Sequence, residues 1–189
     1  MKRILDEALP YLKKLTEGEW VAIGEAERIA VSNWLILFSM SWEFADVSTQ
    51  VIPKNERERF RVEGLPTERW TIGIGRQDRY FDNVYKRTRG VGDPKVPIRP
   101  EDKRGMPLTL MSFGHLVGVS CYFPREIPNT DGWLVRHGFE PLLPSQMPIY
   151  GGKPKAMSGN AVGDRIESMS ESLRWICLGF AGWFTAPRP

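Results

Sequence analysis

The stretch at residues 34–44, WLILFSMSWEF, governs how the rest of the chain must be arranged. Trp34, Ile36, Phe38, Met40, Trp42 and Phe44 take every second position, and from Ser39 onward their neighbours Ser39, Ser41 and Glu43 are polar. Successive side chains of a strand point to opposite faces. This period of two therefore predicts a strand with one buried and one progressively solvated face. The preceding residues 25–33, EAERIAVSN, then form a short helix with Ala26, Ile29 and Ala30 inward.

Further strands are expected downstream. RFRVEG at 59–64 alternates through Phe60 and Val62, and RWTIGIG at 69–75 through Trp70, Ile72 and Ile74, with GLPTE as the hairpin turn between them. LTLMSF at 108–113 and LVGVSCYF at 116–123 supply two more, joined or bulged around Gly114, and GWLVRHGF at 132–139 offers a sixth. Helices bracket the sheet. At residues 3–16, Ile4, Leu5, Ala8, Leu9, Leu12 and Leu15 recur at three- and four-residue spacing before Gly18, with Pro10 expected to kink or divide the helix. Near the C-terminus, Asp164 and Glu167 resemble a capping box, and Ile166, Met169, Leu173, Ile176, Cys177 and Phe180 share one helical face. No strand–helix alternation suggests a parallel sheet. The expected class is α+β, an antiparallel sheet of about five or six strands with helices at both ends and long Pro/Gly-rich loops.

The 189 residues suit one globular domain, and 41% hydrophobic with 26% charged residues argues against disorder. Cys121 and Cys177 make no disulfide framework; they read as buried thiols, which favours a reducing compartment such as the cytoplasm or a particle assembled there. Asp6 and Glu7 interrupt the apolar run that a signal peptide needs. The uncharged stretch from Ile29 to Trp42 is shorter than the ~18 residues of a membrane span.

Positive charge is concentrated at residues 85–107, YKRTRGVGDPKVPIRPEDKRGMP, where seven basic residues face three acidic ones; elsewhere nineteen basic residues meet twenty acidic. Pro94, Pro97, Pro100 and Pro107 predict an exposed loop. Tyr85, Lys86, Arg87, Arg89, Lys95, Arg99, Lys103 and Arg104 are its candidate contacts, to an acidic protein face or to phosphates, with Tyr80, Phe81 and Tyr85 placed to stack on bases. Asp93, Glu101 and Asp102 interrupt the run and weaken it as a nucleic-acid grip. Residues 141–160 form a second irregular segment. Trp175, Phe180, Trp183 and Phe184 cover more than one side of the last helix and are a candidate interface to a partner chain.

Catalytic motifs are missing. His115 and His137 are the only histidines, and neither lies at metal-ligand spacing from cysteines or carboxylates. Asp131 and His137 are the one pair that imitates a base with its orienting acid. Gly73-x-Gly75 lacks the third glycine of a dinucleotide fingerprint, and the Gly151-Gly152-Lys153 run lacks the remainder of a phosphate loop. No cofactor and no metal is expected. The reading that follows is a non-enzymatic protein-interaction module. That class spans subunits of larger assemblies, virus and phage components among them, and inhibitors that block a partner, with an oligomer or a hetero-complex expected. A nucleic-acid-binding protein using the 85–107 segment is the second reading, and a hydrolase-type enzyme around His137 the third.

Overall fold

The computed structural model describes residues 2–20, 22–45, 51–91, 106–123, 127, 129–143, 156–157 and 161–177, with backbone alone at 45, 81–91, 161–162, 164 and 174–177. Helix α1 spans Lys2–Thr16, α2 Glu25–Trp42, and a 3-10 turn Glu43–Ala45; α3 spans Lys54–Glu63, β1 Trp70–Val91, β2 Met106–Tyr122, α4 Thr130–Arg136, β3 Glu140–Leu143 and α5 Ala161–Cys177. The α+β class with helices at both ends holds. The sheet is antiparallel in the order β2-β1-β3, three strands among the described residues rather than five or six.

The main correction falls on residues 34–44. They continue α2 to Trp42 and close in the 3-10 turn. A spacing of four is a multiple of two and also close to one helical turn, so Trp34, Phe38 and Trp42 satisfy both patterns at once. In the helix they stack as a ladder, with ring centroids 5.5 Å apart for Trp34–Phe38 and 5.7 Å for Phe38–Trp42, and Phe113 packs edge-on to Trp34 and Phe38. Val31, Leu35, Ile36 and Met40 are buried in the core, and Ser39 receives a hydrogen bond from Ser120 of β2 while donating to the Leu35 carbonyl. At roughly 1.5–3 kcal/mol for each fully buried aliphatic side chain, packing outweighs the weak strand preference of the sequence.

Two further strands become helices. Residues 54–63 form α3, where Phe60 is buried and Val62 is 77% exposed, an opposition that a helix produces and a strand face does not. Ion pairs at i,i+4, Lys54–Glu58 and Arg59–Glu63, support it, and Gly64 ends it in the left-handed region with its N–H on the Phe60 carbonyl. GLPTE is therefore a helix-to-strand connection. Residues 130–136 form α4, capped by Asn129, whose Oδ1 accepts from the Gly132 N–H, with Trp133 and Leu134 buried. The first helix runs through Pro10 without division. Its buried face is Ile4, Ala8, Leu12 and Leu15, whereas Leu5 and Leu9 face solvent. Helix α5 begins at Ala161, three residues before the expected cap at Asp164, and buries Ile166, Met169 and Leu173 as its spacing requires.

The sheet lies between two helical layers. On one face Trp70, Ile72, Ile74, Leu116 and Tyr122 pack with α1 and α2; on the other Val117, Val119 and Cys121 pack with α4 and α5. β1 and β2 pair from Trp70↔Tyr122 to Val91↔Met106, with register shifts between Arg76 and Tyr85. The parity of β2 inverts there: Leu108 and Leu110 join the α4/α5 core, and Met111 joins the other. Gly114 is the pivot. Its φ of +54° suits glycine, and a Cβ would stand 2.3 Å from the Thr16 carbonyl oxygen at the end of α1. Gly73 and Gly75 serve a different end, since side chains there would meet Leu134, Phe139 and Met157. They let α4 and its neighbours close on the sheet, and no phosphate loop is involved.

Candidate functional site

The helical layer carries an open groove of about 630 Å³. Its floor is Ile4 of α1, Leu37 and Met40 of α2, and Phe60 of α3, with Phe44 and Val62 at its lips. Phe44 is 62% exposed and Val62, on α3, is 77% exposed, so the groove opens onto apolar surface at both. Ser41, Gly64 and the three arginines Arg3, Arg57 and Arg61 complete the lining. Arg57 and Arg61 lie one turn apart on α3, which places both on one face of that helix.

Polar ties hold α3 in position as the outer wall. The Glu56 carboxylate accepts from Trp70 Nε1 at 3.0 Å and Thr67 Oγ1 at 2.9 Å, and Asn33 Nδ2 donates to the Gly64 carbonyl at 2.8 Å. Glu43, only 1% exposed, is the central tie. Its Oε1 accepts from the N–H groups of Val51 and Ile52 at 3.0 and 3.1 Å, and its Oε2 accepts from Arg57 Nη1 at 3.1 Å. Burial raises the Glu43 pKa above the ordinary carboxylate value, opposed by those N–H groups and by Arg57. Arg57 also lies over the Phe44 ring, 5.1 Å from its centroid. Arg61 makes no ion pair among the described residues, and Arg3 meets only Glu7, at 3.6 Å in an exposed i,i+4 pair.

His137 belongs to a different cluster. Its Nε2 lies 3.0 Å from Ser172 Oγ, which also accepts from Trp133 Nε1 at 2.9 Å and donates to the Met169 carbonyl at 2.9 Å. Ser172 Oγ therefore has the Met169 carbonyl, the Trp133 indole N–H and the His137 ring all within hydrogen-bond reach. A nucleophile–base pair would need the serine to donate to the imidazole in place of the Met169 carbonyl. Burial, then Arg165 and Arg136, lower the His137 pKa to about 4, so the ring is neutral at pH 7. The network joins α4 to α5 and works as packing. His115 is half-buried, its Nδ1 3.1 Å from the Gln77 carbonyl.

The described part of the basic segment is strand. Tyr85, Lys86, Arg87 and Arg89 lie in β1, paired with Ser112, Met111, Leu110 and Leu108, and Met106 and Pro107 begin β2. The prolines that were expected to exclude regular structure cluster at 94–100, and Pro107 opens a strand, where its missing N–H is tolerated. Lys95, Arg99, Lys103 and Arg104 lie outside the described residues. Trp175 is in α5, while Phe180, Trp183 and Phe184 lie outside the described residues. Of these candidates, the described residues place Tyr85, Lys86, Arg87 and Arg89 along one strand and Trp175 on α5.

Sequence reasoning missed the groove. NERERFRVE, residues 55–63, carried its signal in the i,i+4 charge pairs that mark a helix, and reading it as a strand separated Arg57 and Arg61 from Met40 and Leu37. Among the described residues no His, Cys, Asp or Glu cluster suits a metal, and no helix is long and apolar enough to cross a membrane. No protein-family model, curated protein or solved structure matches the chain.

Proposed function

We propose that this chain is a protein-interaction module that docks a partner protein in the groove between α1, α2 and α3. The observation that carries the reading is the groove itself: an apolar floor opening between two exposed apolar lips, ringed by guanidinium groups. Apolar anchors seated in such a recess, with arginine at its margin, supply most of the free energy at protein interfaces. The volume lies within the roughly 300–1,000 Å³ of ordinary binding pockets, and an open groove suits a side chain presented by another backbone. Leu5, Leu9 and Leu65 add exposed apolar surface in the same helical layer.

The test is a peptide-display selection on immobilised chain, run in parallel on the wild type and on Val62→Asp. Val62 is mostly exposed, so the substitution leaves the fold intact while placing a carboxylate at the lip. The expected result is a family of sequences enriched on the wild type and bound at least about tenfold more weakly by the variant, or 1.4 kcal/mol. Failure to enrich any sequence, or equal enrichment on both chains, overturns the reading.

A further inference from the structure

We infer that the segment seated in the groove is acidic around a bulky apolar anchor, with Arg61 and Arg3 reading its carboxylates and Arg57 acting as a positioning residue. This rests on the groove being a docking surface and adds the chemistry of its occupant. Three guanidinium groups line the groove, and no carboxylate does. Two acids are placed by contacts with these arginines: Glu43, buried, turned toward the Val51 and Ile52 N–H groups and paired with Arg57, and Glu7, paired with Arg3. Three guanidiniums against two carboxylates leave a positive excess at the mouth, which a basic or uncharged occupant leaves uncompensated.

The three arginines are not equivalent. Arg57 is bound to a buried carboxylate and lies over Phe44, so moving it toward a ligand would leave Glu43 buried with one fewer partner. Its contribution is to fix Phe44 as a lip and α3 as a wall. Arg61 has no competing ion pair among the described residues. The Arg3–Glu7 contact is a solvent-exposed i,i+4 pair at 3.6 Å, of a kind that holds its partners weakly. Arg3 Nη2 also reaches across Gly64, 2.7 Å from where a Cβ would stand there, so the guanidinium sits at the groove end that α3 closes. Two guanidiniums beside an apolar trough, Arg61 on α3 and Arg3 reaching the end of that helix, match carboxylates next to an apolar anchor.

The experiment uses three synthetic twelve-residue peptides with the same central leucine–phenylalanine anchor, flanked by aspartates, by asparagines or by lysines, titrated calorimetrically into the full chain. The aspartate peptide is expected to bind about tenfold more tightly than the asparagine one, and the lysine peptide more weakly than either. In Arg3→Gln/Arg61→Gln the aspartate-to-asparagine ratio collapses toward one. In Arg57→Lys, which keeps a cation beside Glu43, both peptides weaken together and the ratio persists. If Arg57→Lys unfolds, Phe44→Leu tests the same positioning role, with the same expectation of an unchanged ratio. Equal binding of the aspartate and asparagine peptides overturns the acidic occupant while leaving the groove as a docking site. A ratio that collapses in the Arg57 or Phe44 variant, or survives in the double variant, overturns the division of roles. Absence of binding by all three overturns this inference, and the display selection decides separately whether the docking reading falls with it.

Discussion

His137 shows how one buried ring can couple stability to pH. Its Nε2 lies 3.0 Å from Ser172 Oγ, and the Arg165 and Arg136 guanidiniums add to the cost of charging the buried ring. The folded-state pKa is about 4 and the ordinary value is 6.5. Between these values the unfolded chain binds a proton that the folded chain refuses. The stabilisation is thus present above pH 6.5 and is lost as pH falls toward 4, by about 3 kcal/mol at most. Urea unfolding at pH 7.5 and pH 5 measures it. His137→Gln, which retains a donor for Ser172 and does not titrate, is expected to lose markedly less stability over that interval; an equal loss in both proteins contradicts the assignment. The ambiguity in sequence was real, because Asp131 six residues earlier suggested an orienting acid. Ser172, the actual partner, lies thirty-five residues away and no local pattern reveals it.

At the level of elements, Gly114 connects the long β1–β2 hairpin to α1. Gly114→Ala forces a Cβ against the Thr16 carbonyl oxygen at positive φ, whereas Gly118→Ala meets side-chain atoms alone, Leu35 Cδ2 at 2.5 Å and Met111 Cγ at 3.3 Å. The first is expected to cost about 3 kcal/mol and the second about 1 kcal/mol in chemical denaturation. The reverse order would remove the bulge from its place in the account. Much of this architecture was legible. α1, the start of α2, the first residues of β1, the interruption at Gly114 and the apolar face of α5 all follow from spacing, because each has one dominant period. The errors share one physical origin. Trp34, Phe38 and Trp42 are four apart and fit two periods at once, and Phe60 with Val62 imitates alternation in a short helix whose charge pairs argue otherwise. In both cases tertiary burial chose the helix. The continuation of β1 through Arg87 and Arg89 was hidden for another reason, since a charged run paired with the buried strand at Leu108–Leu110 does not look like a strand alone.

The whole molecule is a sheet with two unlike faces. The α4/α5 side closes over its core through Trp133, Phe139 and Met169. The α1–α3 side remains open where α3, tied mainly by Glu43, Glu56 and Asn33, stands away from α1 and α2 as the wall of a groove. That asymmetry is what makes one side a candidate for recognition. It was not legible in sequence because the groove takes residues from positions 3 to 64 and exists only once 34–44 and 54–63 are helices. The methionines report on it directly: Met40 lies in the groove floor, while Met157 and Met169 belong to the opposite core. A titration of chain labelled at its methionine methyl groups with the aspartate-flanked peptide, followed by NMR, tests the docking site most directly. The Met40 methyl resonance is expected to shift progressively to saturation while those of Met157 and Met169 stay in place. Binding that leaves Met40 unmoved, or that shifts Met157 and Met169 instead, would contradict the account.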